Sequence, residues 1–316
     1  MCIRDSNTSA SDDMVQPPYN NQTVFECKYE LDSLAAFLSL SHTYYNATHD
    51  ISFFARHQWV RAVRAVLDVA TAMQTPTYAA DGHVLPSPYN FTRLTTSGTE
   101  TLANKGSGNP VQNGTGLIRS AFRPSDDATI FQFLIPANMM FARNLAASAD
   151  IMCLLPTHDA EHTAAQMRSL SAAIRTGIAK HGVVQSAVHG SVYAYEVDGY
   201  GSANMMDDAN IPSLLSAPLL GYLNSSDPIY TNTRAMVLSH DNPYWAQGPV
   251  LCAVGGPHDG PGYAWPMASI VRVLTGDGAE TGVYGELKQL VSSTDGLGLI
   301  HESINAWNHS DWSRQW

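Results

Sequence analysis

The sequence predicts an all-α protein, a helical toroid in which long loops build one face. Apolar residues recur at helical spacing along most of the 316 residues. The predicted helices are joined alternately by short loops and by long loops rich in Gly, Pro and Asn, as in a ring of antiparallel helices. No low-complexity tract or strict repeat interrupts this pattern, and the length is ample for one large domain or two small ones.

Long helices are predicted mainly in the first half of the chain. In one of them, Phe54, Trp59 and Val63 recur at helical spacing, and Pro156 and Thr157 provide a start signal for another. The long helices span 30–46, 51–73, 126–152 and 157–180. Shorter helices are predicted over 211–223, 231–239, 265–274 and 281–292.

Long polar segments separate these helices. They are dense in Gly, Pro, Asn and aromatic residues and span 76–120, 183–210, 241–263 and 293–316. Loops of this length in a compact domain are commonly functional. We therefore expect the functional side chains in these segments.

The charge balance argues against two classes of partner. With 28 acidic against 17 basic residues, the formal net charge is −11, which disfavours nucleic acid and anionic membrane surfaces. No run of eighteen apolar residues occurs, so no transmembrane helix is predicted. A neutral carbohydrate suits such a surface, and 14 Tyr and 6 Trp can supply aromatic faces for sugar rings.

Residues 1–22 are predicted to be an adaptor-like, disordered segment. Met1–Ser6 resemble a translated sequencing-library adaptor, and 7–22 is rich in Asn, Ser, Asp and Pro. The folded part is therefore expected over 23–316. Because the chain also stops within the aromatic-rich stretch 311–316, we interpret it as a fragment truncated at both ends.

The acceptor patterns for N-glycosylation favour a secretory route. Chance would give roughly three or four Asn-x-Ser/Thr patterns at this composition. Seven occur, at Asn7, Asn21, Asn46, Asn90, Asn113, Asn224 and Asn308. The cysteines Cys27, Cys153 and Cys252 show no CxxC or CxxH spacing, so they are expected to be buried free thiols with at most one disulfide among them.

One segment imitates a zinc site. His158, Glu161 and His162 match the HxxEH pattern of a class of zinc peptidases. The core face of this helix carries Met167, however, and at about 100° per residue His158 points to the opposite side, towards solvent. No third ligand is evident, so we expect neither a metal nor another cofactor.

Several polar segments are candidates for chemistry. Glu196–Asn210 holds three Asp, one Glu and two Asn, and is either a polar loop that caps helices or a loop that binds sugar hydroxyls. Arg123–Asp127 either caps a helix or presents an acid with a tuned pKa. Gly255–His258 and Gly262–Pro266 resemble a sugar platform, and His301–Ser303 lies in an aromatic loop.

Together these segments resemble glycoside hydrolase family 125, the metal-independent exo-α-1,6-mannosidases, and in particular its fungal branch. The matching stretches occur in family order between residues 24 and 316, and several are long. They are Lys28–Ser33, Gly108–Pro110, Gly116–Ala128, Glu196–Ser213, Gly256–His258 through Trp265–Pro266, and His301–Ser303.

The resemblance implies an (α/α)6 barrel, incomplete here at its N and C termini, with the active site on the long-loop face. It implies inverting hydrolysis of terminal, non-reducing α-1,6-linked mannose. The family's general acid maps onto Asp127, with Asp126 as second choice, and its general base maps onto Glu302. Inversion needs a protonated carboxyl and an ionised carboxylate ~6.5–9.5 Å apart. A neighbouring carboxylate or burial would keep the acid protonated.

Further residues are expected to hold the mannose ring and its hydroxyl groups. They are Asp32, Arg119, Arg123, Asp198, Asp207, Asp208, His258 and Trp265. The partner implied is a mannose-containing oligosaccharide or N-glycan, bound by a monomer. One departure concerns the family's Trp-Leu-Arg-Asp-Ser motif: Arg4–Ser6 imitate it but lie too near Lys28 to occupy the same place.

Three alternatives remain open. The chain can be another (α/α)6 carbohydrate enzyme, either a glucoamylase-like hydrolase or a polysaccharide lyase, although a lyase commonly acts on acidic substrates that a chain of charge −11 would repel. It can be a catalytically inactive sugar-binding fragment. The HxxEH pattern leaves a zinc peptidase as the third.

Overall fold

Two compact units make up the chain in its computed structural model, which describes residues 13–20, 26–156, 158–276 and 280–314. The first unit extends to Gly182 and also includes Glu196–Ser202. The second consists of Val183–Tyr195 and the chain from Ala203 onwards. The sequence had predicted one domain over 23–316, preceded by an adaptor-like, disordered segment over 1–22. Residues 1–12, 21 and 22 of that segment lie outside the described part.

Helices and short strands alternate along the described chain. The helices are α1 (Leu31–Thr48), α2 (Ile51–Arg56), α3 (Trp59–Ala72), α4 (Ile135–Cys153), α5 (His158–Gly177), α6 (Pro228–Val237), α7 (Pro266–Leu274) and α8 (Glu280–Ser292). The strands are β1 (Asp13–Gln16), β2 (Asn90–Arg93), β3 (Phe133–Leu134), β4 (Val183–Ser186), β5 (Gly190–Tyr193), β6 (Glu196–Val197), β7 (Ala203–Asn204), β8 (Trp245–Gln247), β9 (Cys252–Val254), β10 (Tyr263–Ala264) and β11 (Ile304–Asn305).

Helix α4 is the centre of the first unit and packs against both α1 and α5. It is buried nearly all round, as expected of a helix in the middle of a core. Its Asn138 is fully buried and forms three hydrogen bonds. The side-chain amide donates to the carbonyl oxygens of Ile118 and Leu134 at 2.9 Å each, and its oxygen accepts from the Ile118 N–H at 2.9 Å. These bonds attach the segment around Ile118 to the core.

The predicted helix over 51–73 is two helices in the structure. Gln58 adopts a left-handed conformation with φ 58° and separates α2 from α3. Asp50 caps α2 by accepting from the N–H of Ser52 and of Phe53. At the start of α3, the Trp59 indole donates to Ser41 Oγ of α1 at 2.9 Å, so a tertiary contact fixes the break.

Two other predicted helices differ from the structure. The segment predicted as helical from residue 126 forms a turn followed by β3, and α4 begins only at Ile135. The segment 211–223 is a series of turns. Pro212 and Pro218 lack the N–H that a helix needs, and the Asp207 side chain accepts from backbone N–H groups in this stretch.

The expectation of an all-α protein is therefore only partly right, because short antiparallel strands fill the long loops. In the first unit β1, which lies within the stretch 1–22 predicted to be disordered, pairs with β2. Strand β3 pairs with β6. In the second unit β4 pairs with β5, β8 with β9 and β10 with β11. Strands of two to four residues are too short to show a period of two in the sequence.

The second unit has its own apolar core. It is a cluster of Ala209, Ala246, Leu251, Ala253, Val254, Ala264, Trp265, Ala268, Ile304 and Ala306. On α7 and α8, several large apolar side chains are exposed, among them Met267, Leu274, Tyr284 and Val291.

Two sequence-level expectations concern helices and thiols. No helix in the described ranges combines the length and the hydrophobicity needed to cross a membrane. Cys27, Cys153 and Cys252 are free thiols. They are not buried as expected, since Cys153 is exposed and the other two are half-buried.

Candidate active site

The start of α1 and the segment 116–127 meet in the first unit. The Leu31 N–H donates to Ser120 Oγ at 2.9 Å, and the Phe122 N–H donates to the Tyr29 carbonyl oxygen at 3.1 Å. These two bonds fix the residues on either side of Glu30 against the polypeptide that leads into the Arg123–Asp127 turn. Carboxyl groups from both segments are thereby brought together.

Three carboxyl groups, Glu30, Asp32 and Asp126, form this cluster. Burial, and then the charges of Asp32 and Asp126, raise the pKa of Glu30 to about 8. Burial also raises the pKa of Asp32 to about 6. Glu30 therefore favours its protonated form at neutral pH, and a protonated carboxyl is what a general acid needs.

Asp126 and Asp127 differ in what surrounds them. Asp126 is exposed, with φ 67° in the left-handed region that Asp tolerates better than most residues. Its N–H donates to the Arg123 carbonyl oxygen at 2.9 Å, and the Arg123 N–H donates to the Asp127 carbonyl oxygen at 2.8 Å. Asp127 is only 3% exposed. This tight turn presents the Asp126 carboxyl outward, beside Glu30.

A buried ion pair holds the Arg123–Asp127 turn in place. Arg123 Nε lies 2.6 Å from Glu196 Oε1, and both side chains are almost fully buried. The other oxygen of Glu196 accepts from the N–H of Ile130 at 3.1 Å and of Phe131 at 3.3 Å. Arg123 was expected to contact sugar, and that stays a prediction. Its contacts in the structure are those of a residue that positions the Asp126–Asp127 turn.

Asp198 shapes a loop in the same unit. Its Oδ1 accepts from the N–H of Tyr200 at 2.8 Å and of Ser202 at 3.0 Å, and its carbonyl oxygen accepts from the Gln112 N–H. The side chain is buried apart from an 8% exposed fraction. Both alternatives for this segment, a structural loop and a sugar-binding loop, stay open for Asp198.

Arg119 is buried and contacts the chain that follows α3. Its guanidinium donates from Nη2 to the Thr75 carbonyl oxygen at 2.5 Å, and the residue is only 3% exposed. It lines a cavity of about 360 Å³ whose lining includes none of Glu30, Asp32 and Asp126.

In the second unit, Asp207 and Asp208 have local partners. The two oxygens of Asp207 accept from the N–H of Leu214 at 2.8 Å and of Leu215 at 2.9 Å, and burial raises the pKa of Asp207 to about 7. Asp208 Oδ1 accepts from the backbone and side-chain N–H groups of Asn210 at 3.0 Å each. Both carboxyls are buried and organise the turns that follow them, while their predicted sugar contacts are untested.

His258 and Trp265 lie near each other in the second unit. Their ring centroids are 6.5 Å apart with an edge-on orientation, and His258 is exposed. Trp265 is mostly buried at the start of α7, and its indole N–H has no hydrogen-bond partner among the described residues. An exposed imidazole beside an indole with a free donor suits a sugar, and the sugar contact of these two residues stays a prediction.

Glu302 is held by the chain that precedes the C terminus. Its Oε2 accepts from Ser313 Oγ at 3.1 Å and lies 3.2 Å from Arg314 Nε. The neighbouring His301 ring stacks on Trp312, with centroids 4.4 Å apart and planes 4° apart. Glu302 is thus a carboxyl group with a cation and a hydroxyl donor beside it, held in place by the residues that follow it in the chain.

The residues missed at the sequence level are Glu30, Glu196 and Arg314. Glu30 and Glu196 lie inside stretches that carry the family resemblance, but only the structure shows which acid faces Asp126 and which is paired with Arg123. Arg314 is eleven residues or more from every motif used, so no sequence signal marked it.

The residues of the HxxEH pattern lie at the start of α5. Glu161 and His162 are exposed, as a solvent-facing first turn predicts. Within the described ranges, no three His, Cys, Asp or Glu side chains group in a way that would hold a metal ion.

A carboxyl group with a raised pKa, such as Glu30, and further carboxyl groups, such as Asp126 and Glu302, are the kinds of group that glycoside hydrolases use as acid and base. The comparison with known families agrees with this class. The model of the glycoside hydrolase family described as metal-independent α-mannosidase (GH125) matches residues 2–316. The chain belongs to family GH125.

Two known proteins illustrate the similarity. The chain is 45% identical over 312 residues to the meiotically up-regulated gene 157 protein of Schizosaccharomyces pombe, and the match covers 98% of this chain and 60% of that protein's length. A solved structure of a metal-independent α-mannosidase from Streptococcus pneumoniae, in a non-productive complex with α-1,6-mannobiose, matches with a TM-score of 0.89 and 34% identity. That match covers 99% of this chain and 70% of the other.

Proposed function

We propose that this chain carries an inverting exo-α-mannosidase activity that removes terminal, non-reducing α-1,6-linked mannose from glycans. The observation that carries the proposal is the cluster of Glu30, Asp32 and Asp126 in a chain of family GH125, in which burial and the neighbouring carboxyls raise the pKa of Glu30 to about 8. The bound α-1,6-mannobiose in the Streptococcus pneumoniae structure supports the linkage. An (α/α)6 barrel is the architecture proposed with it.

The proposed general acid is an Asp of the Arg123–Asp127 turn. The resemblance gave Asp127 as first choice, and the exposed position of Asp126 next to Glu30 now favours Asp126. Glu302, held by Arg314 and Ser313, is the proposed general base that activates water. An ionised base and a protonated acid at the same pH are the pair that an inverting hydrolysis needs.

The proposed substrate is a mannose-containing oligosaccharide or N-glycan, which is bound by a monomer without a cofactor. The secretory pathway is the proposed compartment. Four of the acceptor asparagines, Asn46, Asn113, Asn224 and Asn308, are exposed, which supports that proposal.

The function is tested by hydrolysis of α-1,6-mannobiose and of an aryl α-mannoside. Asp126→Asn and Glu302→Gln are each expected to lower kcat by several orders of magnitude, whereas Asp68→Asn, an exposed Asp of α3, is expected to leave it unchanged. Proton NMR of the first product formed is expected to show β-mannose, the inverted anomer. Addition of EDTA is expected to have no effect.

Other outcomes identify the alternatives. Full activity of Asp126→Asn together with loss in Asp127→Asn would return the acid to Asp127. Preference for an aryl α-glucoside would indicate a different specificity of the same hydrolase class. Absence of turnover with retained mannoside binding would indicate a sugar-binding chain without catalysis.

A further inference from the structure

The guanidinium of Arg119 is buried, and hydrogen bonds hold both its backbone and its side chain in place. The residue before it, Ile118, is hydrogen-bonded to Asn138 of α4 through both its N–H and its carbonyl oxygen. The Arg119 N–H donates to the Met73 carbonyl oxygen at 3.2 Å, and its Nη2 donates to that of Thr75 at 2.5 Å. The side chain therefore has one defined place in the first unit.

This buried charge lacks a counterion among the described residues. Among the described residues, burial is the one influence on the charge of Arg119 and no acidic group acts on it, and its Nε has no hydrogen-bond partner there. Burial lowers the pKa of Arg119 to about 10, so the group is still charged at neutral pH. A buried charge without a partner is costly, and natural proteins commonly compensate it with an ion of opposite sign.

The cavity that Arg119 lines has both apolar and polar residues in its walls. The polar ones are Thr77, Tyr78, Ser87, Asn90, Asn104 and Ser107. Ser87, Asn104 and Ser107 already donate to oxygen atoms of the protein, at Tyr89, Gly108 and Asn104 respectively. Thr77 is held in place by Val111, whose N–H donates to Thr77 Oγ1 at 2.9 Å.

One wall is a tight loop. Gln132 donates from Nε2 to the carbonyl oxygens of Ser107 and Asn109, at 3.1 and 2.7 Å. At Gly108, which has φ 74°, a Cβ would lie 2.5 Å from Gln132 Nε2, so the close packing requires glycine. Asn104 also has a positive φ, of 52°, and residues held in such conformations cluster at ligand sites.

We propose that this cavity is a binding site for an oxoanion, either free or carried on a sugar, with Arg119 as its counterion. The planar guanidinium fits phosphate and carboxylate oxygens, and Tyr78 and Asn90, which line the same cavity, carry a hydroxyl and an amide that suit the remaining oxygens. The site is distinct from the group of Glu30, Asp32 and Asp126, none of which lines it. It adds an anion-recognising subsite to a chain whose proposed substrate is neutral.

The test is calorimetric titration with inorganic phosphate at constant ionic strength. The wild type is expected to bind phosphate, and Arg119→Met is expected to weaken binding at least about tenfold, because it removes the charged donor. The matched control is Arg61→Met, which removes an exposed arginine of α3 and is expected to bind like the wild type. Removal of an uncompensated charge is not expected to unfold the protein.

A second pair of variants leaves Arg119 in place. Val84 lines the cavity and is 70% exposed, so Val84→Glu can place a negative charge at the rim without disturbing the core. It is expected to weaken phosphate binding, and Val84→Lys to strengthen it. Val188→Glu, at a valine that is 75% exposed in the second unit, is the control and is expected to have no effect.

Mannose 6-phosphate distinguishes the two sources of the oxoanion. Tighter binding than that of phosphate indicates an anion carried on a sugar, and equal binding indicates a free anion; either result supports the site. The proposal is overturned if phosphate does not bind, or if it binds equally well to the wild type, Arg119→Met and Val84→Glu. Because the measurement is of binding, its outcome is independent of whether mannose is hydrolysed.

Discussion

At the scale of a single residue, the pKa of the Glu30 carboxyl is set by the position that the fold gives it. Burial and two neighbouring carboxyls raise its pKa from 4.5 to about 8, while Ser33 Oγ donates to its Oε2 at 3.2 Å. The raised pKa of Glu30 thus depends on where the fold places α1 against the 123–127 turn. The proton supply of the proposed acid and the stability of the fold are therefore connected.

We predict that Glu30→Gln reduces the pH dependence of stability. Because the folded pKa is raised, the folded state keeps a proton that the unfolded state releases above about pH 4.5. The stability that Glu30 contributes is thus fully present below that pH and is lost as the pH rises through about 8. Urea unfolding midpoints measured between pH 5 and 8.5 are expected to fall more steeply for the wild type than for the variant.

The control for this prediction is Glu161→Gln, an exposed glutamate in the first turn of α5. Its unfolding midpoints are expected to follow those of the wild type. Parallel curves for the wild type and Glu30→Gln would show that Glu30 is ionised in the folded state over this whole range.

At the scale of elements, the sequence predicts where a helix is long and amphipathic and fails where a tertiary contact interrupts it. Helix α1 follows its apolar spacing and was predicted to within two residues at each end. The break at Gln58 depends on a contact between Trp59 and Ser41, and the turn at Arg123 depends on an ion pair with Glu196. Both partners are distant in the chain, so no local pattern could reveal them.

The same distinction applies to the candidate site. Asp127, with Asp126 as second choice, and Glu302 were predicted from motifs whose residues are adjacent in the sequence. Glu30 and Asp126 are 96 positions apart in the numbering, and the influence of Asp126 on the pKa of Glu30 depends on how α1 meets the 123–127 turn. The sequence therefore pointed to these segments, and only the structure shows which of their carboxyls lie near one another.

We predict that Asn138→Ala destabilises the first unit more than an exposed asparagine variant does. The substitution leaves the Ile118 N–H and carbonyl and the Leu134 carbonyl without the side-chain partner that each has now. Each buried polar group left unpaired costs about 1–3 kcal/mol. The free energy of unfolding, measured with urea, is expected to fall accordingly.

Asn46→Ala is the matched control, because Asn46 is exposed on α1 and bonds only to His42 on the same helix. Its effect is expected to be within about 0.5 kcal/mol. If Asn138→Ala were equally mild, α4 would not be what anchors the Ile118 segment, and another contact would have to position Arg119.

At the scale of the whole molecule, the acceptor asparagines of the described ranges differ in their exposure to solvent. Asn46, Asn113, Asn224 and Asn308 are exposed, and Asn224 Oδ1 already accepts from the N–H and Oγ of Ser226 in the same acceptor pattern. Asn90 differs, because it is half-buried in β2, is paired with Gln16 of β1 and lines the Arg119 cavity. A glycan needs solvent around it, so these sites cannot be equivalent.

We predict that the folded chain carries glycans at the four exposed sites and not at Asn90, when it is exported through a eukaryotic secretory pathway. A glycan at Asn90 would have to fit where β1 pairs with β2, so glycosylated copies would fold poorly and be depleted from the secreted protein. Glycopeptide mass spectrometry of the secreted, monodisperse fraction measures occupancy at each site. High occupancy at Asn90 in that fraction would mean that β1 does not pair with β2 in the mature protein. Bare asparagines at all four exposed sites would argue against the proposed secretory route.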